Sequence, residues 1–272
     1  MASSTSPVIE TEQALQIHFI SQGRADGGYD LFCVVFLAVE MMPPALIEIY
    51  SSMECPYAYL ATYRLRQLRD EFAGRVQVVW RALSLEFINR QSYSKPLREA
   101  EMDLFSLIEP DLPFRPWSRP DWEWPVTFWP AFEALACAQG QGAEAAFEMS
   151  WAQRHAYFAE GRCPSIRHEI LAIAEEAAGD GKLDLNRFEQ DWDTGRYKGN
   201  VIAESRSGWH ELKVNGSATF VLPDGRQVTN PAVGEPDFDE ERAVLRGYTP
   251  YPGNPLDLYR EILEDVAAGT AG

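Results

Sequence analysis

Apolar residues follow two different periods in the stretch from residue 45 to residue 83. The segment "ALIEIY" (45–50) is a short apolar run between proline and serine pairs, which predicts a β-strand. The apolar positions that then recur every three or four residues are Tyr57, Ala61, Leu65, Leu68 and Phe72. They predict one apolar helix face. The segment "RVQVVWRAL" (75–83) alternates and predicts a second strand, so the three elements form a βαβ unit with parallel strands.

Residues 96–209 carry a helical period instead. The predicted helices lie near 96–108, 129–139, 142–159, 165–178 and 196–209. Ser165 is expected to cap the fourth of these helices and Gly179 to end it. Between the first two helices the segment "PDLPFRPWSRPDWEWPVTFWP" contains too many prolines for a long helix. It is interpreted as an ordered linker on the face of the helical part, the alternative being an aromatic shelf for a ligand.

Strand signals return after residue 210. The segment "SATFVLPDGRQVTNP" (217–231) predicts two strands joined by an Asp-Gly turn. The segment "NPLDLYREILEDVAAG" (254–269) predicts a closing amphipathic helix. The element order is therefore βαβ, a helical block, and ββα, which is an α/β domain split by a helical insertion.

The first 43 residues fit this pattern poorly. They are rich in Ser, Gly and Gln, and Met41 and Met42 stand directly before the first predicted strand. We expect an N-terminal extension over 1–43 that is disordered or precedes the true start of translation. The alternative is a genuine extra strand at 31–39.

Composition excludes several classes of protein. The net charge of −17 and the pI near 4.6 argue against a nucleic-acid partner or an anionic membrane surface. Cysteines stand only at 33, 55, 137 and 163, so no Cys-x-x-Cys pair exists and no metal site is expected. The longest apolar run is too short to cross a bilayer. A cytoplasmic protein with reduced thiols is the prediction.

Cys55 is the residue that suggests chemistry. It lies between the first strand and the first helix, and Pro56 suits the first position of that helix. A sulfur at a helix N-terminus faces unpaired N–H groups, which favours the reactive thiolate. Glu54 opposes this effect unless its side chain turns to solvent. We expect a reactive Cys55 at an exposed junction, and the alternative is a buried structural cysteine.

Two motifs resemble the DsbA-like oxidoreductases. The segment "SSMECPYAYLATYRLRQL" is similar to that family's Cys-Pro-x-Cys helix start, and "VNGSATFVLPDG" to its Val-x-Gly-Val-Pro-Thr-Phe-Val strand. The resemblance implies a thioredoxin fold with a large all-helical insertion between βαβ and ββα halves. It places the thioredoxin-fold domain at 44–95 and 210–270 and the helical insertion domain at 96–209.

The resemblance also assigns the site. It implies that Cys55 is catalytic and that Pro56, Tyr57, Ser217, Ala218 and Thr219 bind substrate. Ala58 replaces the family's second cysteine, so Cys55 must wait for an outside thiol to resolve a mixed disulfide. Ala218 replaces the family's cis-proline. Because a cis bond before a non-proline residue costs ~2.5–4 kcal/mol, the Ser217–Ala218 bond is expected to be trans, or else strained for function.

Three functions follow as hypotheses. The leading one is a thiol–disulfide oxidoreductase with Cys55 as sole nucleophile. The motif "CPYAYLA" is also similar to the Ser-Pro-Tyr-Ala start of 2-hydroxychromene-2-carboxylate isomerases and kappa-class glutathione transferases, which implies a glutathione-dependent isomerase or transferase. The third is a non-catalytic binding protein on the same scaffold.

The leading hypothesis also defines the partners. It needs no tightly bound cofactor, only glutathione or another low-molecular-weight thiol and a thiol-containing substrate. It leaves a homodimer open. Cys163 precedes Pro164 in a loop, and it either resolves Cys55 or is an unrelated loop cysteine.

Overall fold

The structure, a computed structural model, describes residues 43–179, 181–239 and 243–269. The expectations for the N-terminal extension, including the strand at 31–39, lie outside these residues. Within them the order of elements is the one that the sequence predicts, with some additions.

A four-stranded mixed sheet forms the centre of the fold. Its strands are β1 (Ala45–Ser51), β2 (Val76–Ala82), β3 (Thr219–Val221) and β4 (Gln227–Thr229), in the spatial order β2-β1-β3-β4. β1 pairs parallel with β2, while β3 runs antiparallel to both β1 and β4. This arrangement of βαβ and ββα halves confirms the predicted thioredoxin fold.

Helix α1 (Pro56–Leu68) connects β1 to β2, and the last helix of the chain, α9 (Pro255–Ala268), also contacts α1 and β1. Pro56 occupies the first helical position, as predicted, where its missing N–H costs nothing. Ile47 and Ile49 of β1 are fully buried on one face of the sheet, whereas Leu46 on the other face is exposed.

Among the described residues, seven α-helices lie between β2 and β3. They are α2 (Leu85–Asn89), α3 (Lys95–Ile108), α4 (Trp129–Gln139), α5 (Ala143–Phe158), α6 (Arg167–Ala178), α7 (Leu185–Asp193) and α8 (Lys198–Arg206). A π-helical turn (Ser207–Glu211) extends the last one. This confirms the helical insertion, and the exact boundaries of the two domains stay a prediction. The sequence did not indicate α2, which is too short to show a period, or α7, whose composition is mostly polar.

One predicted helix cap is wrong. The residue before α6 is Ile166, and the Ser165 hydroxyl instead donates a hydrogen bond to the Thr127 carbonyl (2.5 Å). That tertiary contact outcompetes local capping. Gly179 does follow the last residue of α6 as expected, with a φ of +42° that suits glycine.

The proline- and tryptophan-rich segment packs on the helical part, which confirms the ordered linker. Trp117 and Phe128 are buried, and the Trp117 ring contacts Trp124 edge-on with 5.1 Å between centroids. Tyr157 of α5 lies beside both Trp117 and Phe128. The aromatic rings of this segment therefore help to fill the core.

A second, two-stranded sheet was not predicted. It consists of β5 (Glu235–Asp239) and β6 (Val244–Thr249), which are antiparallel. Its strands are rich in charged residues and lack a run of apolar alternation, so the sequence carries little strand signal here.

Candidate active site

The sheet register places two distant segments side by side. Tyr50 of β1 pairs with Thr219 of β3, so the end of β1 meets the residues that precede β3. The backbone N–H of Ser52 donates to the Ser217 hydroxyl at 2.7 Å. Cys55 follows three residues later as the cap residue of α1, with extended backbone angles (φ −84°, ψ 120°).

Cys55 is a buried thiol. Its S–H donates to the Ser217 carbonyl with 3.2 Å between sulfur and oxygen, and only 6% of the residue is exposed. Burial raises the pKa of the Cys55 thiol to about 12, against the lowering effect of hydrogen bonds from Ser217 and the N–H of Ala58. The expected exposed junction with a favoured thiolate is therefore wrong for this state, because desolvation outweighs the helix N-terminus.

Glu54 turns inward rather than to solvent. It is 1% exposed, and its Oε2 accepts a hydrogen bond from the Ser52 hydroxyl at 2.6 Å. Its Oε1 is buried without a hydrogen-bond partner. Burial raises the pKa of this carboxyl to about 7, with the Ser52 hydrogen bond acting the other way. Glu54 is thus partly protonated near neutral pH.

Arg154 reaches this region from α5. It is fully buried, and its Nη2 donates to the Ser51 hydroxyl at 2.9 Å and to the Ser52 carbonyl at 3.4 Å. Burial lowers the pKa of its guanidinium to about 10, while the nearby Cys55 and Glu54 raise it. A cation, a thiol and a carboxyl group therefore share one desolvated site.

The Ser217–Ala218 peptide bond is cis, so the expected trans bond is wrong. Contacts hold both sides of the bond. Ser217 binds Cys55 and Ser52, while the Ala218 carbonyl accepts a hydrogen bond from the Asn230 N–H at 2.9 Å. These contacts come from residues distant in sequence, so the local cost of a cis bond before alanine does not reflect them.

The other predicted binding residues mainly contact the surrounding fold. Ala218 and Thr219 are fully buried, and the Thr219 hydroxyl is engaged with the Gly216 carbonyl and the Thr229 hydroxyl. Tyr57 is half-buried, and its ring packs edge-on against Phe105 of α3 at 4.9 Å. Pro56 is buried at the start of α1. The structure thus brings Cys55 and Ser217 into contact, whereas Thr219 serves the sheet.

Three polar residues of the site were not predicted as site residues. Ser52 and Glu54 lie within three positions of Cys55, so proximity in sequence was an available signal. Arg154 is about a hundred positions away, and its place on a helix with no clear polar face gave no signal. Cys163 is a buried, free thiol, as are Cys55 and Cys137, so no disulfide joins it to Cys55 here.

The described residues show no metal centre that would offer an alternative to the Cys55 site. They contain no group of three or more His, Cys, Asp or Glu side chains arranged to hold a metal ion. None of the described helices combines the length and the apolar composition that crossing a bilayer requires. A cleft of about 740 Å³ lined by Leu68, Phe72 and Val76 lies at the other end of α1 from Cys55.

Glu54→Gln is expected to change how stability depends on pH. A carboxyl whose folded pKa is about 7 keeps its proton more tightly when folded, so its contribution is complete below pH about 4.5 and is lost as pH rises through 7. Glutamine cannot ionise. The free energy of unfolding of the variant, relative to wild type, should therefore rise by roughly 3 kcal/mol between pH 4.5 and pH 8.

Urea denaturation at a series of pH values measures this difference. The exposed Glu175→Gln variant controls for the loss of one carboxylate. Parallel pH profiles for wild type and Glu54→Gln would contradict the buried state of Glu54.

A thioredoxin fold with a cysteine capping its first helix defines a class of protein, the thioredoxin-fold thiol enzymes. The sequence profile of the DSBA-like thioredoxin domain matches residues 46–241, more than half of the 272-residue chain. The chain belongs to the DSBA-like thioredoxin domain family. The predicted family and the prediction of an enzyme of the oxidoreductase class are confirmed.

Solved structures show the same fold at low sequence identity. The cytosolic disulfide reductase DsbM from Pseudomonas aeruginosa, in a structure with glutathione, is 21% identical, with a TM-score of 0.52 over 81% of this chain and 98% of that one. A "probable DsbA oxidoreductase" from Streptomyces coelicolor is 18% identical, with a TM-score of 0.53 over 82% and 90%. No curated protein sequence matches the chain significantly.

Proposed function

We propose that the protein catalyses thiol–disulfide exchange through Cys55 alone and that a small thiol such as glutathione resolves the mixed disulfide. The observation that carries this proposal is the position of Cys55: it caps α1 and contacts the Ser217 carbonyl, while the fully buried Ala58 stands where a second thiol would be. With one thiol, release of the substrate requires an outside partner.

The cycle needs only sulfur chemistry. The Cys55 sulfur attacks a glutathionylated substrate, an S–S bond between Cys55 and glutathione forms, and the S–S bond to the substrate breaks. The released substrate thiolate takes up the proton that Cys55 gives up. A second glutathione then attacks the Cys55 mixed disulfide, which yields glutathione disulfide and restores the Cys55 thiol. In the net reaction the glutathionylated substrate and one reduced glutathione give the free substrate thiol and glutathione disulfide.

The same proposal gives the predicted binding residues their roles. Breaking the hydrogen bond between Cys55 and the Ser217 carbonyl frees both groups, and the carbonyl then accepts a hydrogen bond from the incoming thiol compound. Tyr57 is the partly exposed residue next to the thiol and contacts the substrate. Pro56, Ala218 and Thr219 hold the backbone on either side in place.

The partner also suggests a location. A reducing pool of small thiol must be available for each turnover, which fits the cytoplasm. The likeness in fold to a cytosolic disulfide reductase crystallised with glutathione supports this placement. The chemistry needs a single chain, so a homodimer is not required by the proposal.

A glutathione-dependent isomerase or transferase is the second candidate, and one observation favours it. Cys55 is protonated and acts as a hydrogen-bond donor in this state. As a hydrogen-bond donor, Cys55 resembles the serine of the isomerase motif. It would then stabilise a bound glutathione thiolate rather than exchange disulfides.

Steady-state kinetics separates the two candidates. Reduction of a glutathionylated peptide should show ping-pong kinetics in peptide and glutathione, because a covalent intermediate forms. Kinetics that require both substrates to be bound together, with no covalent intermediate, would contradict the exchange mechanism and support the second candidate.

A further inference from the structure

Arg154 is a buried cation that forms no salt bridge within the described residues, although Glu54 raises the pKa of its guanidinium. Among the described residues no Asp or Glu oxygen lies within salt-bridge distance of it, and its Nε is buried without an acceptor. Its guanidinium donates hydrogen bonds to neutral groups: the hydroxyl and carbonyl of Ser150, the hydroxyl of Ser51 and the carbonyl of Ser52. It also lies over the Trp80 ring, 5.3 Å from the ring centroid. A fully desolvated cation that makes no salt bridge is costly, so its retention needs a reason.

The guanidinium is aimed at the segment that holds Cys55. Nη2 binds Ser51 and Ser52, the last residue of β1 and the residue after it, and Ser52 in turn contacts both Ser217 and Glu54. Arg154 and Cys55 are linked through hydrogen bonds, because Ser52 binds both the guanidinium and Ser217, whose carbonyl accepts from the Cys55 thiol. Cys55 also raises the pKa of the Arg154 guanidinium. The cation therefore comes from the helical insertion, on α5, and meets the thiol at the edge of the thioredoxin-fold sheet.

We propose that Arg154 is the positioning residue whose charge stabilises the thiolate of Cys55 during exchange. This inference rests on the proposed function, because it concerns the anion that the exchange reaction needs. Burial alone holds Cys55 as a thiol, and a nearby opposite charge is the direct way to offset that penalty. In the reacting step the negative charge moves from the Cys55 sulfur to the leaving sulfur, so the cation acts on the anion before the new S–S bond forms.

The other charged groups around the site either destabilise a Cys55 thiolate or affect it only weakly. Glu101 of α3 raises the pKa of Cys55, and Glu86 of α2 raises the pKa of Glu54. Glu54 itself is partly protonated near pH 7, so it neutralises Arg154 only in part. Tyr157, also on α5, is held in its neutral form by burial. This leaves Arg154 as the cation that the described part of the site offers to a thiolate.

The test uses a matched pair of variants, Arg154→Gln and Arg154→Lys. Both lose the guanidinium geometry, but only lysine keeps the charge. The measurement is the rate constant for reaction of Cys55 with the disulfide 4,4′-dithiodipyridine as a function of pH, in the full chain with Cys33, Cys137 and Cys163 replaced by serine. At pH 8, Arg154→Gln should slow the reaction by about tenfold or more, equivalent to a pKa rise of one unit. Arg154→Lys should remain closer to wild type.

Arg98 provides the control for losing a buried arginine. It is fully buried without a carboxylate partner in the described chain and donates to the carbonyls of Tyr157 and Phe158 at the end of α5. Arg98→Gln should lower the melting temperature, but the pH dependence of the Cys55 reaction rate should stay the same as in wild type. If Arg154→Gln does not fold, Arg154→Met takes its place, since apolar residues of similar size often replace buried charges without loss of stability.

The possible results distinguish a failure of the role of Arg154 from a failure of the proposed function. A folded neutral variant that reacts within twofold of wild type overturns the role of Arg154 while leaving thiol exchange intact. Equal loss in Arg154→Gln and Arg154→Lys overturns it too, because shape rather than charge would then matter. A wild-type Cys55 that does not react with any disulfide between pH 7 and pH 10 instead overturns the proposed function itself.

Discussion

Cys55→Ser is expected to reduce thiol–disulfide exchange to the uncatalysed background. A serine hydroxyl cannot form the mixed disulfide on which the cycle depends, and no other thiol in the described residues lies at the start of a helix facing Ser217. The substitution changes one atom in a buried position, so the melting temperature should change little. Glutathione-dependent reduction of a glutathionylated peptide measures the loss.

Two other cysteines act as controls. Cys137→Ser and Cys163→Ser should keep the activity, because both are free thiols that form no disulfide with Cys55. Loss of activity in Cys163→Ser would show that this loop cysteine resolves Cys55 after all. Full activity in Cys55→Ser would end the exchange mechanism, and the serine-type isomerase would replace it.

Ala58→Cys is expected to convert the site into a dithiol centre. Residue 58 lies one helical turn from residue 55, and Cα atoms three positions apart on a helix are ~5 Å apart. This separation is within reach of a disulfide, for which Cα atoms must be closer than ~7 Å. The resolving attack becomes intramolecular and gains a large effective concentration. The oxidised variant should oxidise a reduced peptide without added glutathione, which wild type should not do.

Ala61→Cys is the matched control for this change. Ala61 is also buried on α1, but it lies six residues from Cys55, about 9 Å along the helix axis. It should form no disulfide with Cys55 under the same oxidant. If Ala58→Cys behaves like Ala61→Cys, the start of α1 does not present its side chains as we describe.

Much of the fold could be predicted from the sequence because its signals are local. The apolar run of β1, the period of α1 and the Asp-Gly turn between β3 and β4 each act over a few residues, and the structure contains all three elements. Helix α1 ends at Leu68, before Phe72, which the apolar period includes. The β5–β6 hairpin and α7 were missed because their stability depends on tertiary contacts rather than on a strong local pattern. Phe188, for example, is the one apolar residue of α7 that is fully buried.

The sequence brought Cys55 and Ser217 into one candidate site, and the structure shows their contact, but the electrostatics of that site could not be predicted. The Cys-Pro pair located the thiol, and the resemblance located Ser217. Whether Cys55 is exposed depends on what covers it, and Glu101 and Arg154 come from helices far away in the sequence. The local argument from the helix N-terminus predicted a thiolate, whereas burial, which only the tertiary structure reveals, keeps the resting group protonated.

The central claim is that Cys55 alone forms a mixed disulfide with a small thiol. Intact-protein mass spectrometry of wild type after incubation with glutathione disulfide, followed by peptide mapping, tests it most directly. We expect one glutathione per chain, attached to Cys55, and its complete release by added reduced glutathione. An unmodified Cys55, or a disulfide between Cys55 and another cysteine of the chain, would contradict the claim.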